Sequence, residues 1–192
     1  MAGHGKGSEF ERKICKALSL WWTDGERDDV FWRTSTSGAR AKTRSKTKQG
    51  TFGQYGDIQA TDPVGQPLID MFTFELKIGY KGASVADILD KGPKSAKQHW
   101  EKWIEQVIQD HENAGSISWA LITKRDRREP LIFIPQKTII ELIHRGFKPA
   151  KALPRFIIIT KSHEKISAYP LKNFIEATKP EMIIKIAKKG KE

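Results

Sequence analysis

The 192-residue chain carries 34 Lys and Arg against 23 Asp and Glu, a formal net charge of +11, with 38% hydrophobic and 30% charged residues. Those proportions fit a water-soluble globular chain long enough to bury a core, and apolar runs no longer than Phe156 to Ile159 exclude a membrane-spanning helix. The lone Cys15 excludes an internal disulfide framework, and Met1 to Gly7 lacks the apolar run of a signal peptide, so a reducing, cytoplasmic setting is expected.

Excess positive charge favours a polyanionic partner, nucleic acid or an anionic membrane face, although an inert basic surface has the same total. The first helix is expected to start at Ser8, since Ser8 and Glu11 fit an S-x-x-E capping box and Phe10, Ile14, Ala17, Leu18 and Trp21 follow at helical spacing. Asp24-Gly25 closes it, and a short strand around Val30 to Thr34 follows. Ser35 to Gly56 has no hydrophobic period and reads as a long loop. Arg40, Lys42, Arg44, Lys46 and Lys48 recur through it with no acid between Val30 and Tyr55, which suits a phosphate-tracking arm and equally a solvated loop. Phe52 and Tyr55 suit packing of the loop more than base stacking.

Two strands, about Asp57 to Thr61 and Ile69 to Ile78, are expected to form a β-hairpin around Asp62-Pro63-Val64-Gly65-Gln66-Pro67. Period 2 along the second puts Phe72, Phe74 and Leu76 on one face and Thr73, Glu75 and Lys77 on the other. A short helix at Ser84 to Leu89 precedes an amphipathic one from about Ser95 to His111, whose Trp100, Trp103, Ile104, Val107 and Ile108 recur at i, i+3, i+4, i+7 and i+8. Strands at Ile117 to Thr123 and Leu131 to Ile134 come next, then a helix near Gln136 to His144 and a strand at Arg155 to Thr160. Short helices start at Pro170 and Pro180, and Lys185, Lys188, Lys189 and Lys191 read as a frayed, solvated tail.

Hydrolysis of a phosphodiester needs its charge neutralised and a water ionised near neutral pH, and carboxylates holding a divalent ion provide for both. Antiparallel pairing of the two hairpin strands would bring Asp57 and Glu75 within reach of one ion, with Lys77 beside them. Each has a plainer alternative: a turn residue at Asp57, a same-face ion pair for Glu75 and Lys77, a helix cap at Glu11, an amphipathic-boundary residue at Gln106. The five histidines show no paired zinc spacing, and no P-loop, G-x-S-x-G elbow or dinucleotide fingerprint is present.

Gly56-Asp57-Ile58 followed by Phe74-Glu75-Leu76-Lys77 resembles the active-site motif of the PD-(D/E)XK nuclease superfamily. Upstream, Gly7 to Arg12 with Glu11 and Arg12, Arg33, and Ser37-Gly38 look like the Holliday junction resolvase branch. Downstream, Trp103 with Gln106, and Ala120 to Lys124 with Arg127 and Arg128, are similar to phage-type members. The likeness covers about Gly7 to Pro135 and departs in having Gly, not Pro, before Asp57 and a longer loop after Arg33.

The resemblance implies an α/β, restriction-endonuclease-like mixed central β-sheet flanked by helices, with a nuclease core over 1–135 and a C-terminal α/β extension over 136–192 packed on the same domain. It further implies a Mg²⁺- or Mn²⁺-dependent DNA endonuclease leaving a 5′-phosphate. Asp57, Glu75, the Leu76 carbonyl and Glu11 form the metal site, Lys77 stands by the nucleophile, and Arg33 clamps the phosphate. Arg12, Arg33, Ser37, Arg40, Lys42, Arg44, Lys46, Lys48 and Gln106 are the expected DNA contacts. The reading is a structure-selective, Holliday junction resolvase-like enzyme on branched or duplex DNA, acting as a homodimer without membrane association. The alternatives are a less selective phage or restriction-type endonuclease and a non-catalytic basic nucleic-acid-binding module.

Overall fold

The computed structural model describes residues 3–34, 55–80, 82–90, 97–160 and 164–190. Helix α1 spans Gly3–Trp22 and buries Phe10, Ile14, Cys15, Leu18 and Trp22, a stripe at three- and four-residue spacing that packs on the sheet. Ala17, expected on that stripe, is exposed. The helix begins before Ser8, so Ser8 and Glu11 lie inside it, and the expected capping box does not mark its start. Buried Ser19 anchors the next segment: its hydroxyl donates to the Cys15 carbonyl and accepts from the Phe31 amide, each at 2.9 Å. That contact ties strand β1, Phe31–Arg33, to the helix.

The expected hairpin is not formed. Strand β2, Ile58–Ala60, pairs antiparallel with β1 instead, Arg33 opposite Ile58. A 3₁₀ turn at Pro63–Gly65 and helix α2, Gln66–Met71, then lead into strand β3, Phe72–Ile78. Asp62 accepts from the Val64 amide, and Pro63 and Pro67 suit the first turns of the two helical pieces. Leu68 and Met71 anchor α2 in the core, so Ile69 to Met71, expected as strand, are helical.

Helix α3, Asp87–Asp90, and helix α4, His99–Ala114, follow β3. Gln98 and Glu101 cap α4 reciprocally, and Gly115 ends it at a φ of 67°. Strand β4, Ser118–Lys124, runs parallel to β3, so α4 is the crossover that a parallel pair requires. Strand β5, Leu131–Pro135, helix α5, Gln136–His144, a 3₁₀ turn at Pro149–Ala152 and strand β6, Phe156–Ile159, come next. Strand β7, Lys165–Pro170, was not foreseen, and it passes into helices α6, Leu171–Ala177, and α7, Pro180–Lys189. Lys185, Lys188 and Lys189 belong to a helix and not to a frayed tail: Ile183, Ile186 and Ala187 bury one side of α7 and leave the three lysines exposed, while Lys191 lies outside the described residues.

The strand order is β3-β4-β5-β7-β6, parallel at β3 and β4 and antiparallel elsewhere. This is the mixed central sheet flanked by helices that the restriction-endonuclease-like reading expects. Alternation divides its side chains: Phe72, Phe74, Leu76, Ala120, Ile122, Ile132 and Ile134 join the core with α1, α2, α5, α6 and α7. Trp119, Leu121, Phe133, Ile166 and Ala168 face the other way against Trp100, Trp103, Ile104 and Val107 of α4. Because β3 is an edge strand, one of its backbone edges is left for the segment carrying Asp57.

Candidate active site

Gly56 sets the approach. Its φ is +78°, and a Cβ there would lie 2.7 Å from the Phe74 carbonyl oxygen, so a side chain is excluded by both conformation and space. Proline, with φ fixed near −65°, cannot adopt this turn, which gives the departure from the superfamily pattern a physical reason. The close approach lets the Asp57 amide donate to the Phe74 carbonyl at 2.7 Å, while the Asp57 carbonyl accepts from the Thr34 amide at 3.0 Å. The Thr34 hydroxyl adds a bond to the Gly56 carbonyl at 2.9 Å.

So held, the Asp57 carboxylate accepts from the Leu76 amide at 2.8 Å. A strand residue's N–H and C=O leave from the same edge, so the Leu76 carbonyl also projects towards the Asp57 side. Glu75 points to the α4 face, where Lys77 forms an ion pair with it. Gln106 reaches over from α4: its amide nitrogen donates to Glu75 Oε1 at 2.8 Å and its amide oxygen accepts from Lys77 Nζ at 3.4 Å. A neutral amide is suited to this position, since it serves an anion and a cation at once without adding charge.

Asp57 is 6% exposed and Glu75 2%. Burial, and then the neighbouring Glu75 charge, push the Asp57 carboxyl up to about 7, against the hydrogen bond from Leu76 and the pull of Lys77. Burial alone would lower the pKa of Lys77, but the charge and hydrogen bond of Glu75, with Asp57 behind, outweigh it and move the pKa up. Lys77 is therefore an ammonium in this arrangement. Beneath the site the buried Cys15 thiol is pushed up to about 12 by desolvation and then by the charges of Glu11 and Asp57, which leaves it neutral and unreactive.

Glu11 is half-buried on α1 and pairs with Arg33 Nη1 at 3.3 Å. Its charge reaches Asp57, where it raises the carboxyl pKa slightly. The structure thus brings Asp57, Glu75, Lys77, Leu76 and Gln106 together and sets the Glu11–Arg33 pair beside them. Arg12 is exposed on α1. Ser37, Arg40, Lys42, Arg44, Lys46, Lys48 and Phe52 lie outside the described residues.

Among the described residues no three His, Cys, Asp or Glu side chains gather as an all-protein metal cage. Two carboxylates and a backbone carbonyl are nevertheless what a Mg²⁺ ion needs when it keeps waters and takes substrate phosphate for the rest of its octahedron. The donor chemistry fits for another reason: a buried Asp57 whose proton affinity is raised by the neighbouring Glu75 charge marks a place where a divalent cation is favoured.

A family model described as "Phage putative PDDEXK endonuclease" matches residues 2–185. The chain belongs to that family. This PDDEXK nuclease also aligns with the 1.6 Å structure of Hjc, a Holliday junction resolvase from Archaeoglobus fulgidus, at 14% identity and a TM-score of 0.34, over 95% of this chain and 98% of that one. No curated protein matches it significantly. The family match runs beyond Pro135, where the motif likeness ended, and takes in β6, β7, α6 and most of α7. Among the described residues of the nuclease, no helix is long and apolar enough to cross a membrane.

Gln106 gains most from the geometry. Its place at the edge of the apolar stripe of α4 is uninformative in sequence, yet it is the side chain that joins the acid to the amine.

Proposed function

We propose that the protein is a Mg²⁺- or Mn²⁺-dependent DNA endonuclease whose cut leaves a 5′-phosphate. One observation carries the reading: Asp57 and Glu75 are buried beside each other at the open edge of β3, with Lys77 against Glu75. Asp57, Glu75 and the Leu76 carbonyl would hold the ion, which would supply positive charge for the scissile phosphate and for ionising water. Asp57 is aimed by the Leu76 amide, Glu75 by the Gln106 amide, and Lys77 offers a proton donor and a positive charge next to the attacking oxygen. Glu11 keeps Arg33 at the rim, where its guanidinium can engage phosphate as charge builds in the transition state.

Asp57 is buried beside Glu75 at a cost that the Lys77 charge does not cancel, which favours the enzyme over the basic binding module in which those acids merely support the fold. Structure-selective, resolvase-like cutting is supported by Glu11 and Arg33, positions where the sequence is similar to the resolvase branch, and a resolvase's paired cuts call for a homodimer. A phage or restriction-type endonuclease with less selectivity is the neighbouring reading. Catalysis is assigned to residues 1–135, with 136–192 completing the sheet behind them.

The test is cleavage of four-way junction, flap, nicked, linear and single-stranded DNA with and without Mg²⁺. Metal-dependent cutting that disappears in Asp57→Ala, Glu75→Ala and Lys77→Ala while DNA binding survives is expected. Undiminished cutting in all three variants would refute the assignment.

A further inference from the structure

A cleft of about 540 Å³ opens beside Lys77, on the α4 side of the sheet and between β3, β4 and β6. Its lining divides into two chemistries. The floor and walls are aromatic: Trp100 and Trp103 are buried with their rings 5.4 Å apart, and Phe133 meets Trp100 at 4.4 Å. At either side stand partly exposed rings, Tyr80 at 42% exposure against Trp103 and His99, and Phe156 at 39% against Phe133. The rim is basic, with Arg125, Arg127 and Arg128 all exposed on the turn after β4, and Glu129 the acid among the lining residues.

That turn is built to face the cleft. Arg127 takes a φ of +58°, unusual outside glycine, while the Arg128 amide donates to the Arg125 carbonyl at 3.1 Å and Lys124 Nζ to the Arg128 carbonyl at 2.6 Å. A tight turn thereby sets three exposed arginines at the rim of an aromatic basin. Glu75, across Lys77, belongs to the acid pair, so the basin is continuous with the site already described.

We propose that this cleft receives an unpaired nucleotide of the substrate strand, its base against Tyr80 and Phe156 and its flanking phosphates on Arg125, Arg127 and Arg128. The inference rests on the nuclease reading, not on its resolvase-like form, and adds the substrate class: DNA carrying at least one unpaired nucleotide next to the scissile bond. Charge and shape choose this occupant. A plain apolar ligand leaves three arginines without a role and an anion alone leaves the aromatic floor without one, whereas a nucleotide uses both. A stacked duplex cannot enter a basin of this size, which lies within the range of small-molecule sites. A single splayed base can.

Binding in EDTA tests this independently of cleavage. Fluorescence anisotropy is read with the full chain on a blunt duplex and on the same duplex bearing a single-stranded flap. A 2-aminopurine in the first flap position reports stacking. Tyr80→Ala and Phe156→Ala are expected to weaken flap binding about tenfold or more, within the usual range for loss of one base–aromatic stack, and to leave blunt-duplex binding unchanged. Tyr80→Phe is expected to restore it, because the ring and not the hydroxyl makes the stack. Quenching of 2-aminopurine on binding should disappear in Tyr80→Ala.

Equal losses on both DNAs, no loss on either, or a wild-type protein that does not prefer the flap would each overturn the inference. If the selective loss appears but no Mg²⁺-dependent cutting is found, the nuclease reading falls and the nucleotide site stands. Cutting with no effect of the aromatic variants has the opposite meaning.

Discussion

Along β3, Phe72, Phe74 and Leu76 turn towards α1 while Thr73, Glu75 and Lys77 turn towards α4, and the acid is as deeply buried as the phenylalanines. One face is apolar, interlocked with Ala120, Ile122 and the helices beneath, and its burial stabilises the fold directly. The opposite face interrupts its own aromatic cluster with a carboxylate, an ammonium and an amide that satisfy one another. Alternation along one strand thus separates the part that holds the protein together from the part that carries its chemistry. Substitutions on the two faces should fail in different assays.

The largest contrast is expected between neighbours. Glu75→Gln keeps the shape and an oxygen to accept from Gln106 but removes a metal ligand, and should lower cleavage by about a thousandfold or more, on the order of 4 kcal/mol of transition-state stabilisation, in a protein that still folds and melts cooperatively. Single-turnover cleavage at saturating Mg²⁺ measures it, and a loss of under tenfold would mean the acid is structural. Phe74→Ala one residue away should cost about 3–5 kcal/mol in denaturant melts, yet cut normally per folded molecule. If it instead loses activity while fully folded, the separation of faces is wrong.

Asp57 sharpens the comparison from the unstable side. Its folded pKa of about 7 exceeds the ordinary 3.8, so stability from the bound proton is fully present below the unfolded value and is lost as pH rises through about 7. Asp57→Asn keeps an oxygen to accept from Leu76 and carries no charge. In EDTA at pH 8 it should exceed wild type by about 1–3 kcal/mol, less than the full pKa difference implies because buried charges relax. The gap should close towards pH 4, and equal melts at pH 8 would show that the carboxylate is not destabilising. The smallest effect belongs to Gln106→Ala, a loss of about tenfold to a hundredfold in activity or metal affinity, with partial rescue by Gln106→Asn arguing against it because the shorter amide cannot reach both partners.

The same face also shows how much a sequence discloses. Glu75 and Lys77 were legible because period 2 is a local rule, and the stripes of α1 and α4 because period 3.6 is. Asp57 was placed beside Glu75 through a hairpin that is absent. The acid arrives instead through β1 pairing with β2 and through the steric freedom of Gly56, a non-local arrangement that leaves only a glycine as its trace. Gln66–Met71 is too short for a helical period and runs without interruption into the apolar β3, so helix and strand were indistinguishable there. Strand β7 escaped notice because Ile166, Ser167, Ala168 and Tyr169 are buried on both faces and show no alternation. At Glu11 a real capping-box pattern coincided with the middle of a helix, and Gly5 and Gly7, poor helix formers, disguised the extra turns before it.

Divalent-metal binding gives the most direct test of the claim that Asp57 and Glu75 serve one ion. Titration of the DNA-free protein with Mn²⁺, followed by the loss of the free-ion electron paramagnetic resonance signal, should show saturable binding in wild type that disappears in both Asp57→Asn and Glu75→Gln and persists in Phe74→Leu. Unchanged Mn²⁺ uptake in the two acid variants would contradict the account.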